Sequence, residues 1–216
     1  MLAAVILSGG SSSRMGSPKA LLEYQGRPFL EHLLEITVHP KIGVRRVVLG
    51  AHAEPIAKHI ALAADEIVIN ADWEKGQLSS IQAAIRSLPA AAGLPATPGL
   101  PDAAARLHLP YSTDGLLLCL IDHPLISGAL VNYLIEQFYS HSPAKIVLPV
   151  HDGRRGHPLI FSASLYPELL QAPEDKGARV VVWAHAADVL EVPTEEEGCI
   201  LNLNDPQTLL RATDRD

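Results

Sequence analysis

Apolar positions along this chain fall into two rhythms. Runs at 2–7, 116–121 and 159–161, apolar at consecutive positions, read as short buried strands, because a strand covered by helices on each side needs such a run; 44–49, with Val44, Val47, Val48 and Leu49, and 145–149 are read as strands too. Further strands are expected at 66–70 and 189–192, and a last one from Cys199 toward Asn204, ending in polar residues before a helix that Asp205 could cap. Between these runs the spacing becomes helical. In 28–38 the apolar positions are Phe29, Leu30, Leu33, Leu34 and Ile36, and 54–64, 78–85, 128–138 and 165–170 are read the same way, with another helix opening over 174–179. Strand and helix alternate throughout, which predicts a single-domain α/β fold around a mostly parallel, doubly wound, Rossmann-like sheet. The stretch 89–113, rich in Ala, Pro and Gly and without a steady period, reads as an insertion or mobile loop.

Composition narrows the partners. The chain has 216 residues, enough for one domain spanning 1–216, and a formal charge of -7 with pI near 5.8 excludes the clustered Lys and Arg of a nucleic-acid binder. No run approaches the roughly 20 apolar residues of a membrane span, and the first residues carry no basic segment, so no membrane partner and a cytoplasmic location are expected. Cys119 and Cys199 each sit in an apolar segment and read as buried thiols.

The chemistry concentrates where the first run ends. Leu7-Ser8-Gly9-Gly10 leads into a small-residue loop with two fixed cations, Arg14 and Lys19. Glycines let backbone N–H groups approach an oxyanion and the cations neutralise it, which is phosphate-handling chemistry. The loop is not a Walker loop, since Lys19 follows Pro18 and precedes Ala20, and the spacing of Gly9, Gly10 and Gly16 is not that of a dinucleotide fingerprint. Asp122 ends the run 116–121, where ligands gather beyond the carboxyl ends of strands; it is a candidate Mg²⁺ ligand or, alternatively, a cap for the helix starting near Ser127. Asn202 offers a second oxygen or is a turn residue. Gln77, Ser79 and Ser80 open a helix and either cap it or face a ligand. Arg154, Arg155 and His157 share a loop, and Lys176 and Arg179 another; each set is a candidate for an anionic substrate or plain surface charge. The histidine spacing gives no zinc signature, and no Gly-x-Ser-x-Gly elbow marks a serine hydrolase.

These motifs, Leu7-Ser8-Gly9-Gly10 through Arg14-Met15-Gly16 to Pro18-Lys19-Ala20-Leu21-Leu22, Gly76-Gln77-Leu78-Ser79-Ser80, Asp122-His123-Pro124, Gly153-Arg154-Arg155-Gly156-His157-Pro158 and Asp175-Lys176-Gly177-Ala178-Arg179, resemble those of the molybdenum cofactor cytidylyltransferase family within the MobA-like nucleotidyltransferases. Gly10 stands where that branch commonly carries Ala, which is more like the guanylyltransferase branch, and Asn202-Leu203-Asn204-Asp205-Pro206 stands where Asp-x-Asp-Thr-Pro is usual. The resemblance implies a fold of the nucleotide-diphospho-sugar transferase type. It implies that the loop from Leu7 to Lys19 wraps a nucleoside triphosphate, CTP in this branch, with Arg14, Lys19 and Asp122 as the catalytic set. Gln77, Ser79 and Ser80 would lie near base and ribose, and Asp122 with Asn202 would hold Mg²⁺. Arg154, Arg155, His157, Lys176 and Arg179 would bind molybdopterin, whose terminal phosphate attacks the α-phosphate and expels pyrophosphate, and an acceptor molybdoenzyme would receive the product. The alternatives are a GTP-dependent guanylyltransferase, a sugar-phosphate nucleotidyltransferase, and a non-catalytic molybdenum cofactor chaperone.

Overall fold

Along the first strand, β1 (Leu2–Ser8), consecutive side chains part to opposite sides of a sheet: Leu2 and Ile6 enter one apolar cluster, Ala3, Val5 and Leu7 another. The same alternation recurs in β4 (Ile42–Leu49), where Val47 and Leu49 face Val48, and in β6 (Gly115–Leu120), where Leu117 and Cys119 face Leu116 and Leu118. A strand with both faces covered reads as a near-continuous apolar run, and β4 departs from it at Arg45 and Arg46, in its half-buried first part. This is a computed structural model, and it describes residues 1–12, 15–90, 111–141 and 144–213.

Helices supply the two covers. On one side α1 (Phe29–Ile36), α2 (Ala53–His59) and α4 (Gly128–Ser140) contribute Leu30, Leu33, Ile56, Leu130 and Leu134. On the other, α3 (Gln77–Ser87), α5 (Tyr166–Gln171) and α6 (Arg179–Ala184) contribute Ile81, Ile85, Tyr166, Leu169 and Val181. Gln82 Nε2 donates to Leu169 O at 3.1 Å and ties α3 to α5.

Among the described residues the main sheet has eight strands. With β5 (Ile67–Ile69), β7 (Ile146–His151), β8 (Arg154–Arg155), β9 (Leu159–Ser162) and β10 (Val189–Pro193), the order is β10-β7-β9-β6-β1-β4-β5, and β8 pairs with β7. β1 lies parallel between β4 and β6, and β4 parallel to β5; β9 runs antiparallel between β6 and β7. The expected mostly parallel α/β sheet is therefore present, with β1 at the point where the chain turns from one half of the sheet to the other. A separate hairpin, β2 (Glu23–Tyr24) with β3 (Arg27–Pro28), leads into α1.

Four expectations change. The last strand from Cys199 does not form; residues 197–199 make a short 3-10 turn and the chain then crosses the ends of other strands. Its backbone groups are engaged there: His157 N–H donates to Cys199 O at 2.8 Å and Leu203 N–H to Asp122 O at 2.7 Å. The loop 152–158 contains the short strand β8. The expected helix 54–64 ends at His59, because Ile60 adopts an extended backbone and turns into the core, 3% exposed. The helix expected over 174–179 starts only at Arg179, since Gly177 takes the left-handed φ of +67° that no α-helix contains. The terminal helix, α7 (Pro206–Thr213), is capped as expected, Asp205 Oδ1 accepting from Thr208 N at 2.9 Å. Of the expected insertion 89–113, residues 91–110 lie outside the described residues; on either side of them Ala90 and Tyr111 form an antiparallel bridge.

Candidate nucleotide site

At the carboxyl end of β1 the chain leaves the sheet through Gly9 and Gly10, and a cleft of about 470 Å³ opens there. Leu7, Ser8, Gly9, Gly10, Ser11 and Ser12 form its floor, Lys19, Asp122, Asn202 and Asn204 one end, and Trp73, Gly76, Gln77 and Ser80 the other. This is where ligands bind in open α/β sheets.

Local interactions fix each wall. Lys19 begins a 3-10 turn anchored by the fully buried Ala20, and its backbone N–H donates to Ser12 Oγ at 3.1 Å, which folds the loop back on itself. The Lys19 ammonium lies 3.7 Å from Asp122 Oδ2 and donates to Asn204 Oδ1. Asp122 does not cap α4: Ser127 does, its Oγ accepting from Leu130 N at 3.1 Å. The carboxylate is thus left to the cleft. At the opposite end Asn70 Nδ2 donates to Ser79 Oγ at 2.9 Å and to Ser80 Oγ at 3.0 Å, and Asn70 Oδ1 accepts from Asp72 N at 3.0 Å. The loop floor is braced from β4 and beyond by Ala51 N–H donating to Gly9 O at 3.1 Å and by the His52 ring meeting Ser11 O at 2.7 Å.

Of the residues expected to act, Leu7, Ser8, Gly9, Gly10, Lys19, Gln77, Ser80, Asp122 and Asn202 converge on this cleft. Arg14 lies outside the described residues. Ser79 is buried beneath the wall, its hydroxyl within 2.8 Å of Gly76 O and 2.9 Å of Asp72 O, so it shapes the turn rather than lining the cleft. Arg154, Arg155, His157, Lys176 and Arg179 do not line it either. Arg155 is paired with Glu191 at 2.6 Å, and Arg179 lies over the Trp183 ring, 5.5 Å from its centroid, with its Nε donating to Lys176 O. Asn204, Trp73, Ser11 and Ser12 were not singled out by sequence reasoning. Asn204 was within reach of it, standing two residues after Asn202 in the same polar segment; Trp73 carried no signal beyond being an aromatic residue in a loop.

The cleft's oxygen donors suit a hard divalent cation. Among the described residues no three His, Cys, Asp or Glu side chains gather as a metal site. One carboxylate, Asp122, with the amide oxygens of Asn202 and Asn204 nearby, matches a cation that completes its shell with water and phosphate oxygens.

Behind Asp122 two histidines pack together, His123 and His157, with ring centroids 5.1 Å apart and both Nδ1 atoms sealed without a partner among the described residues. Burial drives the His157 pKa down to about 4, with His123 adding to the effect, and burial lowers that of His123 as well. A histidine held below its ordinary pKa of about 6.5 contributes stability that is complete above that value and is lost as the pH falls toward about 4, because the unfolded chain takes up the proton first. Stability is therefore expected to fall by about 2 kcal/mol between pH 7 and roughly pH 5. Urea unfolding at the two pH values tests this; the His157→Gln variant should show a flatter dependence, and an equal slope would remove His157 as the cause.

The family described as MobA-like NTP transferase domain matches residues 4–189. Among curated relatives, the nicotine blue oxidoreductase of Paenarthrobacter nicotinovorans is 31% identical over 185 residues, covering 82% of this chain and 78% of that protein. The probable molybdenum cofactor guanylyltransferase of Nostoc sp. is 25% identical over 212 residues, 96% of this chain and 88% of its own length. Among solved structures, Rv0371c from Mycobacterium tuberculosis superposes with a TM-score of 0.73 at 22% identity, covering 99% of this chain and 98% of that one.

Proposed function

The chain belongs to the MobA-like NTP transferase family, and we propose that it transfers a nucleotidyl group from a nucleoside triphosphate, CTP by preference, to the terminal phosphate of molybdopterin with release of pyrophosphate. The observation that carries this reading is the convergence of Lys19, Asp122 and Asn204 on the loop floor of one cleft. Backbone groups of the Gly9–Ser12 loop and the Lys19 ammonium hold the triphosphate, and Arg14 adds a second cation. Asp122, with Asn202, holds a magnesium ion, which when bound would neutralise phosphate charge. Lys19 is kept in place by Asn204, so its charge is set before substrate arrives. No covalent enzyme intermediate is required, since alignment and charge neutralisation supply the catalysis.

A methyl group at position 10 would meet none of the described residues within 4 Å, so they accommodate Gly or Ala alike and Gly10 does not by itself dictate cytosine or guanine. The guanylyltransferase name of the Nostoc relative favours GTP as the second reading.

Incubation with Mg²⁺, molybdopterin and each nucleoside triphosphate in turn, followed by pyrophosphate release, tests the proposal. Release with CTP is the expected result, and release with GTP alone moves the assignment to guanylyl transfer. Release only with a sugar phosphate as acceptor replaces molybdopterin. Tight molybdopterin binding with no pyrophosphate from any donor supports a chaperone. Turnover of nicotine blue without pyrophosphate would instead align the chain with its Paenarthrobacter relative.

A further inference from the structure

Resting on the assignment of the cleft to a nucleotide, we propose that Trp73 is the wall on which the nucleobase stacks. The cleft has a direction. Its charged end, where Lys19, Asp122, Asn202 and Asn204 meet, follows β6 on one side of β1; its other end, with Trp73, Gly76, Gln77 and Ser80, follows β5 on the opposite side. Phosphates belong at the charged end, which leaves the uncharged end, beyond the loop floor, for the nucleoside.

Trp73 is built to be a fixed surface there. It opens a 3-10 turn held at both sides, by Asp72 N–H on Asn70 Oδ1 at 3.0 Å and by Gly76 N–H on Trp73 O at 3.1 Å. Its side chain is seated against the backbone of Gly50, so closely that a Cβ at position 50 would lie 2.6 Å from the Trp73 Cβ and 2.8 Å from its Cγ. The residue remains partly exposed and lines the cleft, and among the described residues its ring stacks on no other aromatic side chain. A rigid, half-open indole beside a backbone floor offers a π face to any base without choosing among them. Choice would then fall to edge contacts, for which the neighbouring exposed Gln77 amide can both donate and accept.

The sequence contains two tryptophans, Trp73 and Trp183, and Trp183 is 63% exposed on α6 and does not line the cleft, so a Trp183→Phe protein reports on Trp73 alone. With Mg²⁺ present, nucleoside triphosphates should quench its fluorescence saturably, whereas inorganic tripolyphosphate, which fills only the charged end, should not. Equal quenching by tripolyphosphate, or no quenching at nucleotide concentrations where equilibrium dialysis shows binding, overturns the proposal while leaving the nucleotide assignment intact. Absence of nucleotide binding by dialysis overturns both. In parallel, Trp73→Leu should weaken nucleotide binding roughly 10- to 100-fold with tripolyphosphate affinity unchanged, and Trp73→Phe should restore most of it. Equal losses for both ligands, or no rescue by Phe, would assign Trp73 a merely structural part.

Discussion

Asp122→Ala is expected to lower the rate of pyrophosphate release by about 10³-fold, the scale on which removal of one preorganised electrostatic group acts in a water-poor site. The fold should survive the change. The backbone carbonyl of Asp122 receives Leu203 N–H, an interaction that alanine keeps, and the helix that follows is capped by Ser127. The 3.7 Å contact with Lys19 is longer than a hydrogen bond, and the ammonium keeps Asn204 Oδ1 as its partner when the carboxylate is removed. A thermal midpoint within a few degrees of the parent should therefore accompany the loss of turnover. Asp122→Asn separates two roles that alanine confounds. If the carboxylate charge holds a magnesium ion, the amide should fail almost as badly and no excess of Mg²⁺ should rescue it fully. If Asp122 merely orients the Lys19 ammonium, the amide oxygen still faces it at the same place and most activity should return. Wild-type rates in Asp122→Ala would remove this residue from the chemistry altogether.

The parts of this protein that could be read from sequence are those where local pattern and burial say the same thing. The runs 2–7 and 116–121 are apolar at consecutive positions because β1 and β6 are covered on both faces, and the position of Asp122 just past such a run placed it at a strand's carboxyl end. Cys199 to Asn204 breaks the pattern for the same reason: a stretch buried where it crosses the ends of other strands has the composition of a strand. Cys199 and Leu203 are both fully buried there, yet the hydrogen bonds go singly to His157 and Asp122 instead of along a ladder. Periodicity cannot report where a backbone's partners lie.

Within the site, sequence located the loop and the acid but not their relations. Asn204 is decisive only because it holds Lys19, 185 positions earlier, and Ser79 proved to be a turn residue because Asn70, Asp72 and Gly76 use its hydroxyl. The His157 reading turned on burial: next to two exposed arginines it suggested ligand contact, while its Nδ1 is sealed against His123. The charged residues of β8 and of the segment before α6 lie outside the cleft's lining.

Gly50→Ala should damage stability and nucleotide use together, because Gly50 is where the sheet, the loop floor and the Trp73 wall meet. A Cβ at that position would lie 2.4 Å from Gly9 O and 2.6 Å from Trp73 Cβ. Neither neighbour can yield cheaply: Gly9 O already accepts the Ala51 N–H, and Trp73 is fixed by the turn that Asn70 supports. The added methyl must push the loop floor off its brace, displace the indole, or both. Overpacking of this kind costs roughly 1–3 kcal/mol, and a shift of the floor by about an ångström is enough to reduce kcat/KM on the order of 100-fold. Chemical denaturation and steady-state kinetics on the same preparation measure the two effects. Gly10→Ala is the matched control, since its Cβ would meet none of the described residues within 4 Å, and it should leave stability within about 0.5 kcal/mol of the parent. Adding Trp73→Gly to Gly50→Ala should recover part of the stability but not the activity: the contacts with Trp73 Cβ and Cγ are relieved while the one with Gly9 O stays. Full recovery of both in the double variant would mean that the Gly9 floor moves freely and that the Gly9–Ser12 loop does not depend on β4 for its shape.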